Sequence, residues 1–276
     1  YPGGGFALDD AGSLQRLQRI TASPWFRGVI VTQTITQTYM LEHSLCEPEQ
    51  VHFVYGGIFP VEQLSQLRPV RRHYPAQKPT LDICFVSHKY MARGADKGYD
   101  LFIETAKRLA AQFADLRFHV IGNFSAEDMP LDLLVERITF HGRLTTEQFP
   151  AFYADKDLIL SPNAPNILAP GAFDGFPPGT CIEAAACGVA IFCTDMLELN
   201  LHFTDRTDLV LIPRDSAEIA RLVASYREHP AALYALAERG QQQSQRLFSS
   251  DAQLQPRLAL LERLMQMGQR SAAHAT

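Results

Sequence analysis

The sequence predicts an α/β fold in which a parallel sheet is flanked by helices. Three observations point to it. Short apolar runs alternate with longer amphipathic segments along the chain, the pattern of βαβ units. Within Phe173–Asp195 a Gly/Pro turn leads into a run of small helix formers and then a strand-like run. The chain has 276 residues, of which 46% are hydrophobic and 20% charged, enough to bury one large core or two small ones.

The elements follow in chain order. A helix is expected near Leu14–Thr21, a strand at Val29–Thr32, a helix at Gln37–Leu45 and a strand at Val51–Tyr55. Val61–Thr80 holds Arg68, Arg71 and Arg72 and, counting Pro60, four prolines; it reads as a linker. The strand Asp82–Ser87 comes next. It leads to a helix at Tyr99–Phe113, where Leu101, Phe102, Ala106, Leu109 and Phe113 fall near one stripe. Strands follow at Phe118–Gly122, Ile138–His141 and Leu158–Ser161, with a helix at Thr146–Ala154 before the last. A helix at Thr180–Cys187, strands at Val189–Cys193 and Leu209–Ile212, and helices at Ser216–Glu228, Ala231–Phe248 and Asp251–Met267 complete the series. Ser216 with Glu218, and Ser249-Ser250-Asp251, suit helix starts. There is no internal repeat and no low-complexity tract.

The most informative stretch is Phe173–Asp195. Pro177, Pro178 and Gly179 suit a turn that opens a helix, and Gly188 suits its stop. A helix that follows such a loop presents free N–H groups, which makes an anion site. Asp174 precedes that site, and Glu183 lies about one turn inside the helix. A phosphate cradle between two carboxylates matches a sugar nucleotide: phosphates take the N–H groups, and ribose and sugar hydroxyls take the acids. Taken alone, each residue admits a plainer role. Glu183 suits the helix dipole, Asp174 a turn before Gly175, Lys97 a solvated helix start, His88 a polar loop and Arg143 a surface.

Asp174-Gly175-Phe176-Pro177 followed by Glu183-Ala184-Ala185-Ala186-Cys187-Gly188 resembles the donor-binding half of retaining GT-B glycosyltransferases of the family 4, or group 1, type. Two departures stand out: the first acid is Asp rather than Glu, and the spacing to Glu183 is one residue longer than the family pattern. Phe85-Val86-Ser87-His88 with Lys97-Gly98 resembles the family's Val-Gly-Arg segment and its Lys-Gly. His88 stands where the family has Arg, with Lys89 and Arg93 close by as substitutes. Phe140-His141-Gly142-Arg143-Leu144 resembles the segment near the base, and Gly122-Asn123-Phe124 the Val-Gly-x-Gly turn. The resemblance covers residues 29–268. It implies a GT-B type Rossmann-like parallel sheet with a partial N-terminal Rossmann-like domain. It also implies Lys97, Asp174 and His88 as catalytic groups. Glu183, Gly175, Phe176, Pro177, Pro178, Gly179, Thr180, Arg143, Gly142 and Lys89 are the implied substrate-binding groups.

On that resemblance the domains are expected as a remnant acceptor domain at 1–60, a linker at 61–80, a nucleotide-sugar-binding domain at 81–250 and a C-terminal helix and tail at 251–276. The expected reaction moves a sugar, a hexosyl group by family habit, from a nucleotide-diphosphate sugar to a saccharide or lipid-linked acceptor with retention. Bacterial surface polysaccharide synthesis is the expected setting. The alternative is a non-catalytic sugar-nucleotide-binding or scaffolding domain; an epimerase of the same fold is a weaker one. The acceptor half is expected in cis or in trans. The chain opens on Tyr1-Pro2-Gly3-Gly4-Gly5-Phe6 without Met, as a trimmed piece would. No cofactor and no essential metal are expected, on the reading that no Asp-x-Asp motif appears.

Composition bounds the rest. The net charge of −5 gives no support for nucleic acid binding. Five cysteines (Cys46, Cys84, Cys181, Cys187 and Cys193) form no CxxC pair and read as reduced core residues of a cytoplasmic protein. Such a protein would act at the inner face of a membrane if its acceptor were lipid-linked. His73, His202 and His229 show no metal spacing. A dehydrogenase is disfavoured because no strand runs into G-x-G-x-x-G.

Overall fold

The computed structural model describes residues 7–273; the Tyr1–Phe6 run lies outside the described residues. The elements run α1 (Ala11–Thr21), β1 (Val29–Val31), α2 (Thr34–Glu42), β2 (Val51–Phe53), α3 (Val61–Leu67), β3 (Leu81–Val86), α4 (Tyr99–Gln112), β4 (Leu116–Ile121), β5 (Ile138–Phe140) and α5 (Phe149–Tyr153). They continue with β6 (Leu158–Ser161), α6 (Gly179–Ala186), β7 (Ala190–Cys193), β8 (Val210–Leu211), α7 (Ser216–Glu228), α8 (Pro230–Phe248) and α9 (Ser250–Ala273). β1 and β2 form a two-stranded parallel sheet; the other six form a second sheet in the order β5-β4-β3-β6-β7-β8, parallel throughout.

Every residue of β3 is buried, as a strand covered on both faces must be. Leu81, Ile83 and Phe85 pack with α4, α7 and part of α8. Cys84 and Val86 face the opposite layer with α3, α5 and α6. α4 buries Tyr99, Phe102, Ile103, Ala106 and Leu109, so its apolar face reaches one position on either side of the expected stripe. α7 starts at Ser216 as expected, and its cap is Asp215, whose carboxylate accepts from the amides of Ala217 and Glu218 at 2.9 and 2.8 Å. α6 ends in a Schellman turn. Gly188, at φ 81°, donates to the Ala185 carbonyl, and the Val189 amide donates to that of Ala184.

The segment expected as a linker is built into the core at its start. α3 occupies Val61–Leu67, and Val61 and Leu64 are buried against α6 and α8. Pro60 sits just before the first helical turn, where the missing N–H costs nothing. Beyond α3, the half-buried Arg71 guanidinium donates to the carbonyls of Tyr153, Lys156 and Cys187, fastening the segment to the C-terminal ends of α5 and α6. At the far end of the chain, Gln253 and Arg257 of α9 donate to the Tyr55 and Gly56 carbonyls after β2. Leu254, Leu258 and Leu261 of α9 remain exposed. Among the described residues no helix is long and apolar enough to cross a membrane.

The base of the large sheet holds a buried ionic cluster. Lys78 Nζ lies 2.9 Å from Asp82 of β3 and 2.6 Å from Asp157, the residue before β6. Asp157 also accepts from the Asp82 amide at 2.7 Å and the Tyr234 hydroxyl at 2.7 Å. His119 of β4 lies 2.8 Å from Asp82. Burial pushes the Asp82 carboxyl up, but the contacts from His119, Lys78 and Thr80 outweigh it and hold the group below the usual carboxylate range. Replacing Lys78 by Met leaves two carboxylates without their cation inside the fold. Lys78→Met is expected to cost about 3–5 kcal/mol, read from urea unfolding; a change under about 1 kcal/mol would show that the cluster contributes little.

Candidate functional site

The chain runs outward from β3 through β4 to β5, then crosses back to β6 and continues through β7 to β8. β3 and β6 are therefore parallel neighbours that are not consecutive, and the order in which the chain adds strands reverses between them. Open α/β sheets bind ligands at the C-terminal ends of strands at such a point. A cleft of about 490 Å³ lies there. Ser87 and His88 come to it from the end of β3, Asn163 from the end of β6, Lys97 from before α4, and Asp174 to Thr180 from the loop into α6. Its opposite wall comes from the small sheet: Thr32 and Gln33 follow β1, and Gly56, Gly57, Ile58 and Phe59 follow β2.

Lys97 and Asp174 form the centre. The ammonium donates to both carboxylate oxygens, at 2.6 and 2.8 Å. Asn163 Nδ2 donates to Asp174 Oδ2 at 2.5 Å. The Tyr90 ring stands 5.3 Å from Lys97 Nζ, and the His88 ring 4.8 Å from that of Tyr90. Gly98 fixes Lys97 against β6: it holds φ 73°, and a side chain there would run into the Pro162 carbonyl. At the start of α6, the Cys181 and Ile182 amides are taken by the Pro178 carbonyl, while Pro177 and Pro178 have no N–H. The Gly179 and Thr180 amides donate to no group among the described residues. A lysine and two unused helix-end amides thus face one cleft beside a carboxylate.

The expected residues divide. Lys97, Asp174, His88, Gly175, Phe176, Pro177, Pro178, Gly179 and Thr180 line the cleft together. Lys89, Gly142 and Arg143 do not. Lys89 is drawn away by Asp128 at 2.6 Å, and its backbone is clamped by Asn123. Gly142, at φ 68°, accepts from the Gly122 amide and closes the turn after β5; Arg143 beyond it is exposed. Arg93 is also exposed, with its Nε 3.1 Å from Met129 Sδ. Glu183 is not a lining residue, but it shares the helix face of Gly179 and Thr180, which are. Its carboxyl is half-buried, has no hydrogen-bond partner among the described residues, and is pushed up to about 7 by burial. Contrary to the sequence reading, an Asp-x-Asp triplet exists at Asp155-Lys156-Asp157. It lies at the base of β6, where Asp155 pairs with Arg72 and Asp157 with Lys78, away from the cleft. Sequence reasoning missed Asn163, Tyr90, and the wall from Gly56 to Phe59. Strand-end position was the available signal for Asn163 and Gly56.

A family model described as glycosyl transferase-like matches residues 97–259, more than half of the chain. No curated protein matches the sequence. Among solved structures, a glycosyltransferase from Rickettsia africae is similar at TM-score 0.66 and 15% identity, over 91% of this chain and 67% of that one. A TarM variant from S. aureus, in complex with fondaparinux, alpha-GlcNAc-glycerol and UDP, is similar at TM-score 0.67 and 15% identity, over 90% of this chain and 46% of that one. HepE from Anabaena, in complex with UDP and glucose, is similar at TM-score 0.61 and 17% identity, over 85% of this chain and 62% of that one. At these identities the likeness is one of fold, and it is the GT-B fold. The chain spans less than two thirds of TarM and HepE.

Two glycines separate strain from fit. Gly142→Ala meets open space and carries only the cost of a left-handed backbone, about 1–2 kcal/mol. Gly98→Ala adds a collision with backbone and is expected to cost more, about 3 kcal/mol or above. Denaturant midpoints of the two variants give the comparison, and equal losses would remove the proposed fit between the Lys97 turn and β6.

Proposed function

The chain belongs to the glycosyl transferase-like family, and from that premise we propose that its cleft binds a nucleotide-diphosphate sugar as the donor site of a retaining sugar transferase. One observation carries the reading: Lys97 and the free amides of Gly179 and Thr180 converge where a diphosphate would sit, with Asp174 beside them. In the transfer, the bond from the anomeric carbon to the diphosphate oxygen breaks and the acceptor oxygen bonds to that carbon. The acceptor proton passes to the departing diphosphate. Negative charge grows on the leaving oxygen, and Lys97, His88 and the α6 amides are placed to stabilise it. Asp174 takes sugar hydroxyls, and Glu183, one turn further along α6, takes those of the ribose. Retention by same-face attack, a hexosyl donor, a saccharide or lipid-linked acceptor, independence of metal, and a role in surface polysaccharide synthesis at the cytoplasmic face of a membrane complete the proposal. They rest on the family pattern. The acceptor wall is assigned to the half of the fold that begins with β1 and β2.

The HepE and TarM structures hold UDP, so a uridine nucleotide is the first to test. Titration with UDP, GDP, ADP and TDP is expected to show one clear preference; no binding below millimolar by any of them would defeat the donor-site reading. Lys97→Ala is expected to weaken the preferred diphosphate about tenfold or more, and its nucleoside far less, because lysine acts on phosphate as a point charge. Equal losses for both would make Lys97 structural.

Glu183 supplies a pH test. The carboxyl must be ionised to accept two ribose hydroxyls, and burial raises it to about 7. Affinity should therefore be lost as pH falls through that value and gained as it rises from about pH 6 to about pH 8. Glu183→Gln is expected to remove this part of the pH profile and to lower affinity at alkaline pH about tenfold. Phosphate ionisation is common to both proteins and cancels in the comparison. Identical profiles would assign Glu183 to the helix alone.

A further inference from the structure

We propose that Asn163 is a positioning residue that holds Asp174 in place for the sugar hydroxyls once the diphosphate has taken Lys97. The inference rests on the donor-site reading above and adds a residue that neither the family pattern nor the motif spacing singles out.

Asp174 is poorly placed to position itself. No helix or strand lies between the end of β6 at Ser161 and the start of α6 at Gly179, so the carboxylate rides on an irregular loop. Two side chains hold it, Lys97 and Asn163. Lys97 is the group that incoming phosphate oxygens would attract. As they do, Asp174 loses its cation and faces a second anion, and both effects push it out of position. A neutral amide can keep its bond to the carboxylate through that exchange.

Asn163 is built for it. It stands two residues beyond β6, a rigid central strand. The Thr194 hydroxyl donates to its backbone carbonyl at 2.6 Å, tying it to the end of β7. The Ser161 hydroxyl donates to its Oδ1 at 2.9 Å. With the amide oxygen held there, the NH₂ group must face Asp174, and the flipped amide would set oxygen against carboxylate. The chain Ser161–Asn163–Asp174 therefore transmits the position of β6 to a loop residue. The Arg214 guanidinium donates to the Pro162 carbonyl at 2.5 Å, which fixes the intervening residue as well.

The test compares two affinities in one protein. The preferred diphosphate among UDP, GDP, ADP and TDP, and its glucose ester, are titrated against wild type, Asn163→Ala, Asp174→Asn and the double variant. Asn163→Ala is expected to leave diphosphate affinity within about twofold while weakening the glucose ester about tenfold. In the Asp174→Asn background it is expected to change the ester no further. Asn163→Asp keeps the shape but sets a second carboxylate against Asp174. It is expected to impair the ester more than Ala does. Equal weakening of both ligands, an unchanged ester-to-diphosphate ratio, or additive losses in the double variant would overturn the proposal while leaving the donor site standing. Failure of wild type to bind any of the four diphosphates would overturn both. Thermal unfolding of each variant separates loss of fold from loss of positioning.

Discussion

The adjacency of β3 and β6 is the constraint on which the site depends. These strands are far apart in sequence, yet the crevice exists only because they lie side by side. The pairing is anchored at its base by Asp157. Its amide donates to the Asp82 carbonyl, its carboxylate accepts from the Asp82 amide, and Lys78 sits between the two acids. Burying two carboxylates and one ammonium is costly unless each is hydrogen-bonded, and here Tyr234, Thr80 and His119 complete the set. The cluster also draws in α8 through Tyr234 and the segment after α3 through Lys78. With that end fixed, stiff parallel strands carry Ser87 and Asn163 to the same place at the other.

The opposite end follows a different electrostatic logic. Lys97 is largely withdrawn from solvent and would be costly to leave without a counter-charge. Asp174 supplies one inside the chain, so the ligand-free cleft is nearly neutral at its centre. On the proposed function a diphosphate would enter by exchange, replacing one anionic partner of Lys97 with another. Glu183 shows the reverse arrangement. It is withdrawn from water without any partner among the described residues, and its raised carboxyl is the consequence. The two acids on either side of the α6 N-terminus thus differ in their surroundings: one is paired and the other is not.

The elements themselves were legible because their signals are local. Apolar runs marked all eight strands, and Gly98 and Gly188 marked a helix start and a helix stop. The exception was α3, hidden because prolines on either side of it read as a linker, although Val61 and Leu64 carry the spacing of a buried helix face. At the site, the residues closest to the helix N-terminus line one cleft as their order suggested, since free amides after a Gly/Pro turn follow from chain order alone. Lys89 and Arg143 do not line it. Both lie beside strand ends in sequence, but one is captured by Asp128 and the other is turned to solvent. A sequence does not say which of several nearby cations finds a nearer carboxylate.

By itself, then, the sequence determined a parallel α/β chain with a helix start of free N–H groups flanked by Asp174 and Glu183. Period, turn chemistry and N–H bookkeeping act within a few residues and need no partner. Only the tertiary structure decided that Lys97 meets Asp174, that Asn163 fastens it, and that Gly56 to Phe59 close the cleft from the other sheet. Those contacts join residues 11 positions apart in one case and 77 in another. They depend on strand order, which apolar patterning leaves undetermined because any order of these strands would bury the same side chains.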